Sequence, residues 1–273
     1  MNHNKPLILV TNDDGIQSPG IHALARELTP LGEVILVAPR EQYSSSGRSH
    51  LLSSDGIIEE KTFEFTSAEY KAYAVGGTPA QSVLTGLLQI LPRRPDLTVS
   101  GINYGENFGT GITVSGTVGA ALEAACFGIP AIAVSLQLED IGGFDKHDPD
   151  VDFSTSAFFT RKFSHMILEN GLPEQVDLLK IEVPAHANRQ TGWRITRLAR
   201  QMYYVPHFDA GKWQEKGGIG YKINVTRDEV SPDSDIYTVV YDQLVSVTPL
   251  TVDMTAGFDL SAWEKSLKQK FQD

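Results

Sequence analysis

The chain has 273 residues, 41% of them hydrophobic, with a formal net charge of −11 and a single cysteine. Such a length and composition describe a folded globular chain with a real core. The acidic balance excludes a nucleic-acid duplex or an anionic membrane as the main partner, because neither is drawn to a negative surface at long range.

One cysteine, Cys126, excludes an internal disulfide and fits a reducing compartment; its neighbours Ala124, Ala125 and Phe127 place it in the core. No stretch approaches the ~20 apolar residues of a membrane span. The expectation is a soluble cytoplasmic protein.

In chain order, Leu7 to Val10 is an apolar, strand-like run that leads through Thr11 into Asn12-Asp13-Asp14-Gly15. Ile21, Leu24, Ala25 and Leu28 follow the spacing of an amphipathic helix, which Pro30 and Gly32 end before the strand Val34 to Ala38. Thr78 is placed as a helix cap with Pro79 at the first helical position; the helix carries Val83, Leu84, Leu87 and Leu88 and stops before Pro92. Leu97 to Ser100 reads as the next strand, Ser115 to Gly128 as a helix and Ala131 to Ser135 as a further strand. Strands this apolar, alternating with helices, predict an α/β fold with a mostly parallel sheet covered by helices on both faces.

Beyond residue 138 the pattern changes. Gly142, Gly143, Asp145, Asp148, Pro149 and Asp150 form a polar loop placed to close over a site, ahead of a helix around Phe158 to Leu168. Trp193 to Leu198 and Tyr221 to Val225 read as strands, separated by a stretch holding Tyr203, Tyr204, His207 and Trp213. Gln243 to Pro249 is another strand, and Ser261 and Glu264 have capping-box spacing for a last helix with Trp263, Leu267 and Phe271. That helix needs a surface to dock on, its own core or a second subunit. The organisation expected is one domain over 1–273: a core of about 1–198 and 226–250, an excursion of about 199–225, and a C-terminal arm of about 251–273.

The chemistry lies in polar, glycine-punctuated loops after apolar strands. In an open α/β sheet ligands bind outside the carboxyl ends of the strands, where Asp13 and Asp14 fall. Two adjacent anions repel and invite a divalent cation; the plainer alternative is an Asx turn that caps the following helix. Ser44-Ser45-Ser46-Gly47 and Ser100-Gly101-Ile102-Asn103-Tyr104-Gly105 would join them at one sheet edge. Oxygen donors with few nearby histidines suit Mg2+, Mn2+ or Ca2+ better than zinc. Ser115-Gly116-Thr117 at a helix start offers N–H groups and hydroxyls to a phosphate. A cation beside such a terminus implies phosphoryl chemistry.

These residues resemble the SurE survival-protein nucleotidases, metal-dependent phosphatases of nucleoside monophosphates. The resemblance rests on Leu9 to Ile16, on Val37-Ala38-Pro39 followed by Ser44, on Gly76 to Ala80, on Ser100 to Gly105 and on Ser115 to Val118, with weaker similarity at Ile195 to Arg197 and Val245 to Pro249. It implies one divalent cation per subunit on Asp13, Asp14, Ser44 and Asn103, where Ser44 is chosen over Ser45 and Ser46 from its distance to Pro39. It places Asn12, Asn107, Ser115, Gly116 and Thr117 around the substrate phosphate. It also implies a Rossmann-like core with a C-terminal hairpin and helix arm exchanged between subunits of a homodimer or homotetramer. Val114 stands where the family often carries His or Tyr, a position that therefore lacks acid-base help in this chain.

The mechanism expected from the resemblance is hydrolysis of nucleoside 5'-monophosphates, with 3'-monophosphates and short polyphosphate as further candidates. The cation would hold a water and a phosphate oxygen together, with Asp13 or Asp14 available as base and Asn103 as a third catalytic position. A phosphorylated aspartate ranks lower, because an Asp bound to metal is a poor nucleophile. A phosphorylation-regulated receiver module also opens with paired acids, but Ser100, Asn103 and Ser135 stand where it needs a second Asp and a Lys. A Rossmann protein that binds nucleotide without hydrolysis lacks its Gly-x-Gly-x-x-Gly loop here. His22 reads as a surface or capping residue. His50, Arg40 and Arg48 either face substrate or are solvated, and Tyr203, Tyr204 and Trp213 either stack a base or line an oligomer interface.

Overall fold

The structure is a computed structural model that describes residues 5–63, 70–139, 148, 150–207 and 220–271. Its centre is β1 (Leu7–Thr11), followed by α1 (Pro19–Leu28), β2 (Glu33–Pro39), β3 (Ile58–Lys61), β4 (Lys71–Val75) and α2 (Pro79–Thr85). After a π-helical turn at Gly86–Ile90 come β5 (Leu97–Tyr104), α3 (Gly116–Cys126), β6 (Ala131–Leu136), α4 (Ser154–Asn170) and β7 (Leu178–Val183). The chain ends in β8 (Trp193–Ile195), β9 (Tyr204–His207), β10 (Gly220–Ile223), β11 (Val245–Leu250) and α5 (Leu260–Lys270).

Nine strands form one sheet in the order β3-β4-β2-β1-β5-β6-β7-β11-β8. The six from β4 to β7 run parallel. At the edges β3 is antiparallel to β4, and β11 is antiparallel to β7. The chain winds outward from β1 through β2 to β4, then returns to lay β5, β6 and β7 on the other side of β1. That reversal makes a crevice at the carboxyl ends of β1 and β5, where a ligand site belongs in a sheet of this kind.

Side chains alternate across each strand, so one sequence feeds two cores. Ile8, Val10 and Leu36 face a cluster built with Ile21 and Leu24 of α1 and Phe159 and Phe163 of α4. Leu7, Leu9, Ile35 and Val37 face the opposite side, against Val83 of α2 and Val118, Ala121 and Ala124 of α3. Helices therefore cover both faces, as the alternating pattern predicts. A third cluster joins Phe108 to Ala199, Tyr203, Ile236 and Val239, so residues 199–203 belong to the body and the paired strands β9 and β10 form a hairpin of their own.

The helix caps follow local rules. Thr78 Oγ1 accepts from Gln81 N while the Gln81 side chain accepts from Thr78 N, a reciprocal capping box, with Pro79 at the first position. Ser115 caps α3 through its hydroxyl, which accepts from Val118 N at 3.1 Å.

Several expectations change. Cys126 is exposed, because it falls on the outer side of the last turn of α3. His22 is buried and shares a 2.9 Å hydrogen bond with the Tyr70 hydroxyl, which burial and a pKa lowered by desolvation suit. Ser261 does not cap α5; Asp259 does, its Oδ1 accepting from Ala262 N at 2.9 Å. The strand at Leu97 continues past Ser100 to Tyr104 through an irregularity in its pairing with β6. Trp213 and most of the loop from Gly142 to Asp150 lie outside the described residues. Among the described residues no helix is long and apolar enough to cross a membrane.

Candidate active site at the ends of β1 and β5

Asp13 and Asp14 leave the end of β1 inside the crevice and are only 6% and 4% exposed. Their turn is made by Gly15, whose φ of +91° is a conformation glycine adopts without strain, and whose Cβ position would crowd the Glu41 main chain. Asn12 lies fully buried under the turn and donates from Nδ2 to Gly15 O at 2.9 Å. Across the crevice Tyr43 N donates to Asp13 O at 2.7 Å, which ties the loop after β2 to the carboxylate pair.

The pair is held from both sides. Thr117 Oγ1 donates to Asp13 Oδ1 at 2.5 Å, and the Gly116 and Thr117 N–H groups add backbone hydrogen bonds to the same carboxylate. The amino end of α3 is thus turned on Asp13, where its partial positive charge favours an anion. Gln42 Nε2 donates to Asp14 Oδ1 at 3.1 Å and Tyr104 N to Asp14 Oδ2 at 3.3 Å. Gly116 is required for this approach, since a Cβ there would lie 2.6 Å from Ser46 Oγ and 2.7 Å from Asp13 Oδ2.

Burial decides the electrostatics. Desolvation pushes Asp13 up to about 6, against the pull of Thr117 and the helix N–H groups. Asp14 is raised well above the usual carboxylate range, first by burial and then by the charge of Asp13. Two adjacent buried acids, both raised by desolvation, form the environment that a divalent cation relieves.

The donor set fits a hard ion. Among the described residues no three His, Cys, Asp or Glu side chains converge as a metal cluster, so a cation here would take the two carboxylates and complete its shell with neutral oxygens. Asn103, at the end of β5, commits its Nδ2 to the carbonyls of Tyr104 and Gly105 at 3.2 and 2.6 Å, which leaves Oδ1 as its ligating end. Of the three serines, Ser46 has its hydroxyl buried beside Asp13 without a hydrogen-bond partner. Ser44 is exposed, directly after the Tyr43 contact, and Ser45 between them takes φ +57°.

The residues placed around phosphate are divided. Thr117 and Gly116 serve Asp13, and Ser115 serves its cap. Asn107 lies farther along the same loop, its Nδ2 donating to Ser135 Oγ at 3.0 Å. Arg40 pairs with Asp55 and Glu59, and Arg48 and His50 both approach Glu123, so the nearby basic side chains are engaged elsewhere. Tyr203 packs edge-on to Phe108 in the third core, and Tyr204 donates to Glu106 Oε1 at 2.6 Å; neither is a free stacking platform. Gln42 and the Tyr104 N–H were missed from sequence because each reaches the pair through loop folding and not through a motif.

A family model described as "Survival protein SurE" matches residues 8–205. The chain belongs to the SurE family. A SurE relative from Methanocella arvoryzae, named 5'-nucleotidase SurE, is 43% identical over 255 residues, covering 91% of this chain and 93% of its own. One of the same name from Thermococcus gammatolerans is 44% identical over 254 residues, covering 92% of each. The crystal structure of the SurE protein from Aquifex aeolicus aligns with a TM-score of 0.72 at 31% identity, over 98% of this chain and 100% of that one. The shared SurE fold is the α/β sheet described above.

The raised carboxyl group of Asp13 has a consequence for stability. Its native pKa of about 6 lies above its ordinary value of 3.8, so between those values the native state holds the proton more tightly than the unfolded chain. In chelator, the stability that Asp13 contributes should therefore be lost as pH rises from about 4 to 6, alongside a loss from Asp14, which is raised as well. Asp13→Asn removes the Asp13 part of that slope and should be more stable than the wild type at pH 7 by roughly 2–3 kcal/mol. Urea unfolding of both proteins across this range checks it, and equal slopes would contradict it.

Proposed function

We propose that this SurE-family chain is a divalent-metal-dependent phosphomonoesterase that hydrolyses nucleoside 5'-monophosphates to nucleoside and phosphate. The observation that carries the reading is the buried Asp13–Asp14 pair at the sheet's reversal point, where β5 also ends with Asn103. The 5'-nucleotidase names of full-length relatives support the substrate class.

Asp13, Asp14, Asn103 and a hydroxyl of the serine loop would hold the cation. When bound, it neutralises charge on a phosphoryl oxygen and acidifies a coordinated water. The chain's own residues then do the rest. Thr117 and the amino end of α3 fix Asp13 in one orientation, which suits a ligand and hinders its use as a nucleophile. Asp14, held by Gln42 and Tyr104 N, would then take a proton from the attacking water. Asn107 and the Ser115–Thr117 turn would receive the phosphate.

The arm supports assembly with a second copy. No residue of α5 is buried, and Trp263 and Phe271 are 55% and 86% exposed, as are the greater parts of Met254 and Leu260. An amphipathic helix that buries none of its apolar residues suits an exchanged arm, and it favours a homodimer or homotetramer. The single cysteine and the negative charge fit a cytoplasmic setting with a small-molecule substrate.

Phosphate release from 5'- and 3'-nucleoside monophosphates and from short polyphosphate, with Mn2+ or Mg2+ and with chelator, tests the activity. Turnover should require the cation and fall at least about hundredfold in Asp13→Ala, Asp14→Ala and Asn103→Ala. Between Ser44→Ala and Ser46→Ala, the variant with the weaker cation affinity identifies the hydroxyl ligand. Folded wild type with no release under any condition would overturn the reading. For the assembly, truncation after Leu250 should lower the mass by light scattering to that of a monomer, and an unchanged oligomer would count against the arm.

A further inference from the structure

Away from the carboxylate pair, the sheet buries three charged side chains that the proposed hydrolysis does not use. Lys180 and Glu182 stand two residues apart on β7 and so share one face of the sheet, while Leu179, Ile181 and Val183 face the core on the other. Asp235 comes from the turn before the π-helical Tyr237–Tyr241. All three are fully buried. Lys180 Nζ lies 3.1 Å from Glu182 Oε1 and 3.1 Å from Asp235 Oδ2.

Burying ions is unfavourable unless geometry and hydrogen bonds are well satisfied, so the informative question is what the cluster holds. It holds one short piece of main chain. Lys180 Nζ donates to Asn107 O at 2.9 Å, Asn107 N donates to Glu182 Oε2 at 3.1 Å, and Gly109 N donates to Asp235 Oδ2 at 2.9 Å. The lysine also sits 5.7 Å from the centre of the Phe108 ring. Asp235 Oδ1 takes the N–H groups of Ala199 and Ile236, which braces the cluster from behind. The segment so fixed lies between Asn103 and the Ser115 cap of α3.

We infer that Lys180 is a positioning residue for the phosphate subsite: with Glu182 and Asp235 it holds the Asn107–Gly109 main chain at a set distance from Asp13. The inference rests on the phosphomonoesterase reading. An apolar contact could not do this, because the cluster fixes the direction as well as the place of three main-chain groups. Such small displacements of binding groups reduce rates and affinities steeply.

The test uses the full chain with Mn2+. Lys180→Met alone would leave two carboxylates without their cation, so the informative variant is Lys180→Met with Glu182→Gln, which keeps the net formal charge of the cluster unchanged. Its KM for a nucleotide and its dissociation constant for inorganic phosphate by calorimetry should both rise about tenfold, while half-saturation by Mn2+ stays within about twofold. Should that variant fail to fold, Asp235→Asn, whose single amide oxygen cannot accept from Lys180 and Gly109 on one side and from Ala199 and Ile236 on the other, is expected to show the same split. A folded variant with a lower melting temperature and wild-type phosphate affinity would overturn the inference. A wild type that neither releases phosphate from nucleotides nor binds phosphate would overturn the phosphomonoesterase reading, and this inference with it.

Discussion

Two neighbouring carboxylates held out of water set the terms for the rest of the site. Asp13 and Asp14 are raised by burial, and Asp14 also by its neighbour, so holding both in the charged form is costly unless something positive meets them. Hydrogen bonds from Thr117, Gly116, Gln42 and Tyr104 lessen the repulsion without removing it. The remaining field is what a divalent ion would neutralise in the function proposed above.

Holding such a pair requires several chain segments to meet. The reversal of strand order around β1 opens the crevice, and the ends of β1 and β5 bring the acids and Asn103 to it. Glycines permit the close approach: Gly15 turns the chain beneath Glu41, and Gly116 lets the first turn of α3 touch both Ser46 and Asp13. On the far side, the buried Lys180 cluster ties the loop after β5 to β7 and to the start of the C-terminal segment. The site is thus supported by two buried electrostatic centres, the carboxylate pair and the Lys180 cluster, the second already supplied with its own cation.

Local signals were legible in the sequence. The apolar run into Asp13-Asp14-Gly15, the Thr78 cap with Pro79 and the Ser115 cap each depend on neighbours within a turn, and the structure has all three. Parallel strands buried on both faces gave continuous apolar runs in β1, β2 and β6. β7 was missed because Lys180 and Glu182 interrupt that run, and their burial depends on Asp235, 55 residues from Lys180. His22 looked like a surface residue because its partner Tyr70 is 48 residues away. Thr117 reaches Asp13 across 104 residues, so spacing alone could assign it to phosphate but not to the carboxylate. Cys126 shows the converse, since apolar neighbours in sequence do not share a helix face.

Calorimetric titration of the metal-free protein with Mn2+ tests the carboxylate pair most directly, because it needs neither substrate nor turnover. One cation per subunit should bind to the wild type, and none to a folded Asp13→Asn, Asp14→Asn double variant. Absence of binding to the wild type, or equal binding to the variant, would contradict a cation site at the ends of β1 and β5.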